Sequence, residues 1–155
     1  MAIEELDKPK GKWCTHCDIG KGCRIYAERP APCVDFYCMY LTNASLGEHW
    51  KPSHSHMVIT RETRHMVYVR PDPGRPEVWR KEPYYADLKK WSLRFAQAGI
   101  MTSVCIGDTM TIILPDRDVD LGREDPTKQI RLMVHAGPNG LRYGVQVVDA
   151  PKPKA

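Results

Sequence analysis

Five of the six cysteines in this chain fall between positions 14 and 38, spaced Cys14-x2-Cys17-x5-Cys23-x9-Cys33-x4-Cys38. No other feature restricts the fold as strongly. The surrounding text, WCTHCDIGKGCRIYAERPAPCVDFYC, also carries Gly20, Gly22, Pro30 and Pro32. Glycine and proline at this density favour turns and extended loops over long regular elements. Such a stretch buries little apolar surface. An ion held by several of its thiols would order it, because ligand binding and loop folding are then one event.

The rest of the chain narrows the setting. The opening text, MAIEELDKPKGK, has neither the apolar core nor the cleavage site of a secretory signal. No apolar run approaches the roughly 20 residues of a membrane helix. These points predict a cytoplasmic protein with no membrane partner. In that reducing compartment lasting disulfides are rare, so clustered thiols read as metal-binding or catalytic. The formal charge of +4, with acids and bases interspersed, argues against a dedicated polyanion binder.

Zinc takes four ligands in a tetrahedron, and thiolate is a common structural ligand. Cys14-x2-Cys17 is a chelating knuckle, since two intervening residues let both sulfurs reach one ion. Cys33-x4-Cys38 makes a plausible second arm. The competing set is Cys14, Cys17, Cys23 and Cys33, with Cys38 spare. Spacing alone leaves both sets open. An iron–sulfur cluster also takes four cysteines and is the alternative cofactor, although no C-x2-C-x2-C run is present. Lys10, Lys12, Lys21, Arg24 and Arg29 would offset the negative charge of a four-thiolate site. The same cations interleave with Trp13, Tyr26, Phe36 and Tyr37, which makes a nucleic-acid surface the less favoured partner class, behind a protein. Redox use of Cys14-x2-Cys17 lacks the strand-then-helix context it would need.

The text GCRIYAERPAPCVDFYC, through Gly22, Cys23, Ile25, Tyr26, Arg29, Pro30, Cys33, Phe36 and Cys38, resembles part of the signature of the YkgJ-type cysteine-cluster proteins, a zinc- or iron-chelating domain family. The strings PDPGRP from Pro71, PYY from Pro83 and LPDRDVDLG from Leu114 are similar to text in bacterial proteins with this cysteine pattern. The family's upstream group of further cysteines is represented here only by Cys14 and Cys17. The resemblance implies metal binding and no particular reaction.

Beyond the cysteines the period changes. Residues 57–60 and 64–70 alternate as two strands joined by a turn at 61–63. Residues 83–98 predict the main helix, started by Pro83 and stopped by Gly99, with Tyr84, Leu88, Trp91, Phe95 and Ala98 as its apolar stripe. Residues 101–106 and 109–114 predict a hairpin about Gly107-Asp108. Residues 115–128 read as a charged loop with a short extended piece at 119–121. Residues 129–136 and 141–148 form a last hairpin turning at Pro138-Asn139-Gly140. Phe36, Tyr37, Met39, Tyr40 and Leu41 predict a short helix that seats the cysteine segment on the body.

These elements assemble as an α+β single domain over residues 1–155: one main helix over a mostly antiparallel sheet. Residues 1–11 read as a flexible arm, 12–46 as the metal-binding segment, 47–149 as the body and 150–155 as a tail. Weaker candidates also arise. His16 sits inside the first knuckle. His54 and His56 would lie on one side of an extended chain but read as ordinary loop histidines. His65 and His135 read as sheet residues, and Cys105 as a buried core thiol. Asp116, Asp118 and Asp120 read as a charged turn, without the glycine and distal glutamate of a calcium loop. Phosphate-binding and serine-nucleophile motifs are absent, so binding is expected ahead of catalysis.

Overall fold

The computed structural model describes residues 2–9, 12–19, 21–138 and 140–151. Lys10, Gly11, Gly20, Asn139 and the last four residues of the expected tail lie outside them. The fold is α+β, with one main helix over a mostly antiparallel five-stranded sheet.

The cysteine segment consists of very short elements. Strands β1 (Cys17–Asp18) and β2 (Gly22–Cys23) pair antiparallel. Helices α1 (Ala31–Val34) and α2 (Met39–Thr42) follow, and α3 (Pro52–Ser55) leads into the body. Pro32 sits in the first turn of α1 and Pro52 opens α3, where a missing N–H costs nothing. Part of the predicted arm has structure: residues 3–8 close through an Ile3–Lys8 bridge, and Ile3 is buried.

The body begins with β3 (Met57–Thr63) and β4 (Met66–Pro71), an antiparallel pair. The turn falls at Arg64 and His65, later than the alternation predicts, because the register slips between Thr60 and Thr63. Helix α4 (Tyr84–Ala96) then crosses over to β5 (Met101–Ile106), which lies parallel to β4. A parallel neighbour requires such a crossover connection. Gly99 ends the crossover at φ +69, in the left-handed region that glycine enters without cost. β6 (Thr109–Ile113) returns through the tight turn at Gly107, φ +60. The predicted loop after it contains a strand, β7 (Asp118–Arg123), which completes the order β3-β4-β5-β6-β7.

The sheet is covered on both faces. Toward α4, Ile59, Val67, Val69, Val104 and Ile113 pack with Trp50, Trp79 and Leu88. The buried stripe of α4 is Leu88, Ser92 and Ala96; Ala98 is exposed beyond the helix end. On the other face, Met66, Met101, Cys105, Met110, Ile112 and Leu114 pack with Tyr143. Tyr143 belongs to the last hairpin, β8 (Lys128–Gly137) with β9 (Gly140–Asp149), which forms a separate two-stranded ribbon instead of extending the sheet. Opposed pairs Ile130–Val147, Leu132–Val145, Val134–Tyr143 and Ala136–Leu141 give the ribbon one apolar face. Its middle rests on the sheet, and Arg117 ties it down by donating to the Tyr143 carbonyl at 2.8 Å. Leu141, 57 % exposed, overhangs at the tip.

Candidate metal centre

Backbone hydrogen bonds shape the thiol lobe first. The Cys17 N–H donates to the Cys14 carbonyl at 3.0 Å, closing the Cys-x2-Cys stretch into a turn. The β1–β2 pairing then sets Cys23 directly opposite Cys17. Arg24 fastens this small ribbon. Its N–H donates to the His16 carbonyl at 2.9 Å, its guanidinium donates to the Thr15 carbonyl, and its Nε lies 3.7 Å from Asp18. His16 thus contributes through its backbone. Cys33 arrives from α1, its N–H held by the Pro30 carbonyl at 2.9 Å.

All six cysteines are free thiols. Four of them are electrostatic neighbours. Burial pushes the Cys17 thiol above its ordinary pKa, and charge on Cys14, Cys23 and Asp18 pushes it further. Burial likewise raises the Cys33 thiol, with Cys14, Cys23 and Glu5 adding to the shift and Arg29 opposing it. Negative charge on neighbouring thiolates disfavours ionising Cys17 and Cys33 unless a cation compensates. A divalent ion reverses that logic and deprotonates the thiols it binds.

Arg29 is the cation beside Cys33. Its guanidinium stacks on the Tyr26 ring at 3.7 Å, and its Nε–H is shielded from solvent without an acceptor. Glu5, in the N-terminal turn, acts on Cys33 in the opposite sense to Arg29.

Cys38 differs from the four in burial. It is buried, where it precedes α2, whose Met39 and Tyr40 pack on the helix-side core. Phe36, Tyr37 and Leu41, which share the predicted seating role, are exposed instead. The four neighbouring thiols match zinc or iron–sulfur chemistry in kind and number. As their side chains are placed, the described residues contain no group of three or more His, Cys, Asp or Glu able to hold an ion. Coordination would draw the sulfurs inward, to about 2.3 Å from a zinc ion.

The other sequence candidates separate. His54 lies on α3, 3.9 Å from Glu48, and His56 takes a left-handed backbone at φ 55, so the extended His54-x-His56 arrangement does not form. His65 is in the β3–β4 turn and His135 in β8. Cys105 is a core thiol, pushed by burial to about 11. The aspartates disperse. Asp116 pairs with Arg117, Asp120 caps the Gly122 N–H, and Asp118 takes the Lys89 ammonium at 2.7 Å and the Tyr85 hydroxyl at 3.0 Å.

One polar centre that sequence reading leaves out is Asp87, on α4. Its Oδ2 lies 2.8 Å from His49 Nε2 and accepts the indole N–H of buried Trp50 at 3.0 Å. Burial favours the neutral acid, but hydrogen bonds from His49, Trp50 and Lys90 outweigh it and hold the carboxyl below the usual range. The His49 ring presses on Gly47, where a Cβ would come within 2.7 Å of Cε1. The only signal in the sequence was an acid flanking an apolar helix stripe. Its partners are 37 and 38 positions away.

Two cavities flank the sheet. The larger, an open cleft of about 1100 Å³, has Asp35, Phe36 and Tyr37 of the thiol lobe as one wall. Its floor includes Met66, Tyr68 and Arg70, and Arg70 is held by Thr60 at 2.5 Å and Glu62 at 2.9 Å. The smaller cavity lies beside α4. Among the described residues no helix is long and apolar enough to cross a membrane. Searches of protein-family models, curated proteins and solved structures found no match to this chain.

Proposed function

We propose that this chain is a metal-binding protein in which Cys14, Cys17, Cys23 and Cys33 hold a structural zinc ion, while Cys38 anchors the lobe to the body. The observation that supports this reading is a set of four free thiols, with Cys14 and Cys23 close enough to act on both Cys17 and Cys33, in a lobe where no described residue between positions 12 and 37 is buried. Cys14 and Cys17 form one chelating turn, and Cys23 and Cys33 come to it from a paired strand and a helix. Arg29 and Arg24 offset the negative charge of four thiolates around a divalent ion. The resemblance to the YkgJ-type proteins favours the same reading. A reducing, cytoplasmic setting would keep the thiols free.

Charge weighs against nucleic acid. Between positions 12 and 38, Lys12, Lys21, Arg24 and Arg29 face Asp18, Glu28 and Asp35, so four cations meet three anions before any thiolate is added. The exposed Trp13, Ile19, Tyr26 and Tyr37 suit a protein partner better.

Elemental analysis with an optical spectrum on anaerobically purified protein tests the proposal. The expected result is a colourless protein with about one zinc per chain. Cys17→Ser abolishes metal retention and Cys105→Ser leaves it intact. Brown protein bleached by dithionite would replace zinc with an iron–sulfur cluster. Equal metal loss in both variants would overturn the division of the cysteines.

A further inference from the structure

The smaller cavity, about 200 Å³, opens where the segment after α2 meets α4. Its apolar wall is made by Ile59 and Val67 of the sheet and by Trp91 and Phe95 of the helix. At water's share of ~30 Å³ each, it has the volume of about seven waters, which suits a fragment of fewer than about ten non-hydrogen atoms.

The polar lining is one-sided. Arg94 and Asn43 line the cavity, and no aspartate or glutamate does. Arg94 makes no hydrogen bond, ion pair or ring contact with any described residue. The Asn43 side-chain oxygen is already occupied, accepting from the Ser45 N–H at 3.0 Å and the Ser45 hydroxyl at 2.7 Å. Those two bonds fix the amide orientation and leave its NH2 as a free donor. An apolar wall beside a guanidinium and an amide donor, with no competing acid, is complementary to an anion carrying an apolar body. A guanidinium offers a carboxylate two parallel N–H donors.

The larger cleft lacks this selectivity. Arg61, Arg70, Arg123 and Lys128 on its walls are balanced by Asp35, Glu62, Glu124 and Asp125.

We propose that the cavity between α4 and the segment after α2 binds a small organic monoanion, a short-chain or aromatic carboxylate, with its apolar end against Trp91 and Phe95 and its carboxylate on Arg94 and Asn43. The site is independent of the thiol lobe's metal.

The test is a titration of the full chain, as purified, with hexanoate, followed by 15N–1H NMR at the assigned Trp91 indole N–H. Hexanoate should shift that signal saturably, and hexylammonium should bind about tenfold more weakly or worse. Arg94→Met should lower hexanoate affinity by about tenfold or more, while Arg75→Met should not change it. Arg94 is exposed, so its variant keeps the fold, which unchanged signals elsewhere would verify. Absence of a saturable Trp91 shift with hexanoate overturns the site. Equal binding of hexanoate by Arg94→Met and wild type overturns the role of charge, as does equal affinity for hexylammonium.

Discussion

Between positions 12 and 37 no described residue is buried, whereas β5 alone buries five residues in succession, Met101 to Cys105. The two regions therefore answer to different forces. The body is held by apolar side chains removed from water on both faces of its sheet, at about 25 cal/mol per Å². The thiol lobe has two-residue strands, four-residue helices and a guanidinium stacked on an exposed ring. Elements that short are not stable alone. One region would fold in water without help. The other would need a cross-link of the kind proposed, and that difference makes the contrast testable.

The largest effect concerns the lobe. Removing metal with a chelator should strip hydrogen-exchange protection from the amides of Cys17, Arg24 and Cys33 and leave β4 to β6 protected. Simultaneous loss in both regions would show that they form one cooperative unit. Next is the core of the body. Leu88→Ala, at a fully buried position, should cost about 2–5 kcal/mol in denaturant unfolding while metal content stays the same.

A smaller effect belongs to the junction between α4 and the segment after the lobe. Asp87→Asn should cost about 1–3 kcal/mol at neutral pH, because the His49 and Trp50 bonds lose their charged acceptor. The folded Asp87 carboxyl lies below its unfolded value of about 3.9, so its contribution is present above that pH. It fades as pH falls through the lower folded value, and the gap between wild type and variant should close there. The smallest effect is Gly99→Ala, about 1 kcal/mol for a side chain at positive φ, with no consequence for the metal.

Much of the body was legible because local signals and final structure agree. The stripe from Tyr84 to Phe95 and the Gly107 turn each carry their own instructions, in helical period and in backbone freedom. Pairing partners are not local. The alternation of 141–148 is real, yet it could not distinguish a sixth strand from a ribbon laid across the sheet. Nor could it reveal that Asp118 of the charged segment is drawn into β7 by Lys89 and Tyr85. In the lobe, counting gave five candidate thiols for four places. The β1–β2 pairing that sets Cys23 opposite Cys17, and the burial of Cys38, leave no periodic trace.

Strands β8 and β9 pair with no other strand among the described residues, so neither ten-residue strand has a strand neighbour along its outer edge. That is a template on which a neighbouring molecule could zip. Arg131 and Arg142 stand on these strands, while Lys128 is paired with Asp149, and two approaching copies would bring like charges together. Salt weakens that guard, so clumping of this protein should grow with ionic strength and begin at the hairpin.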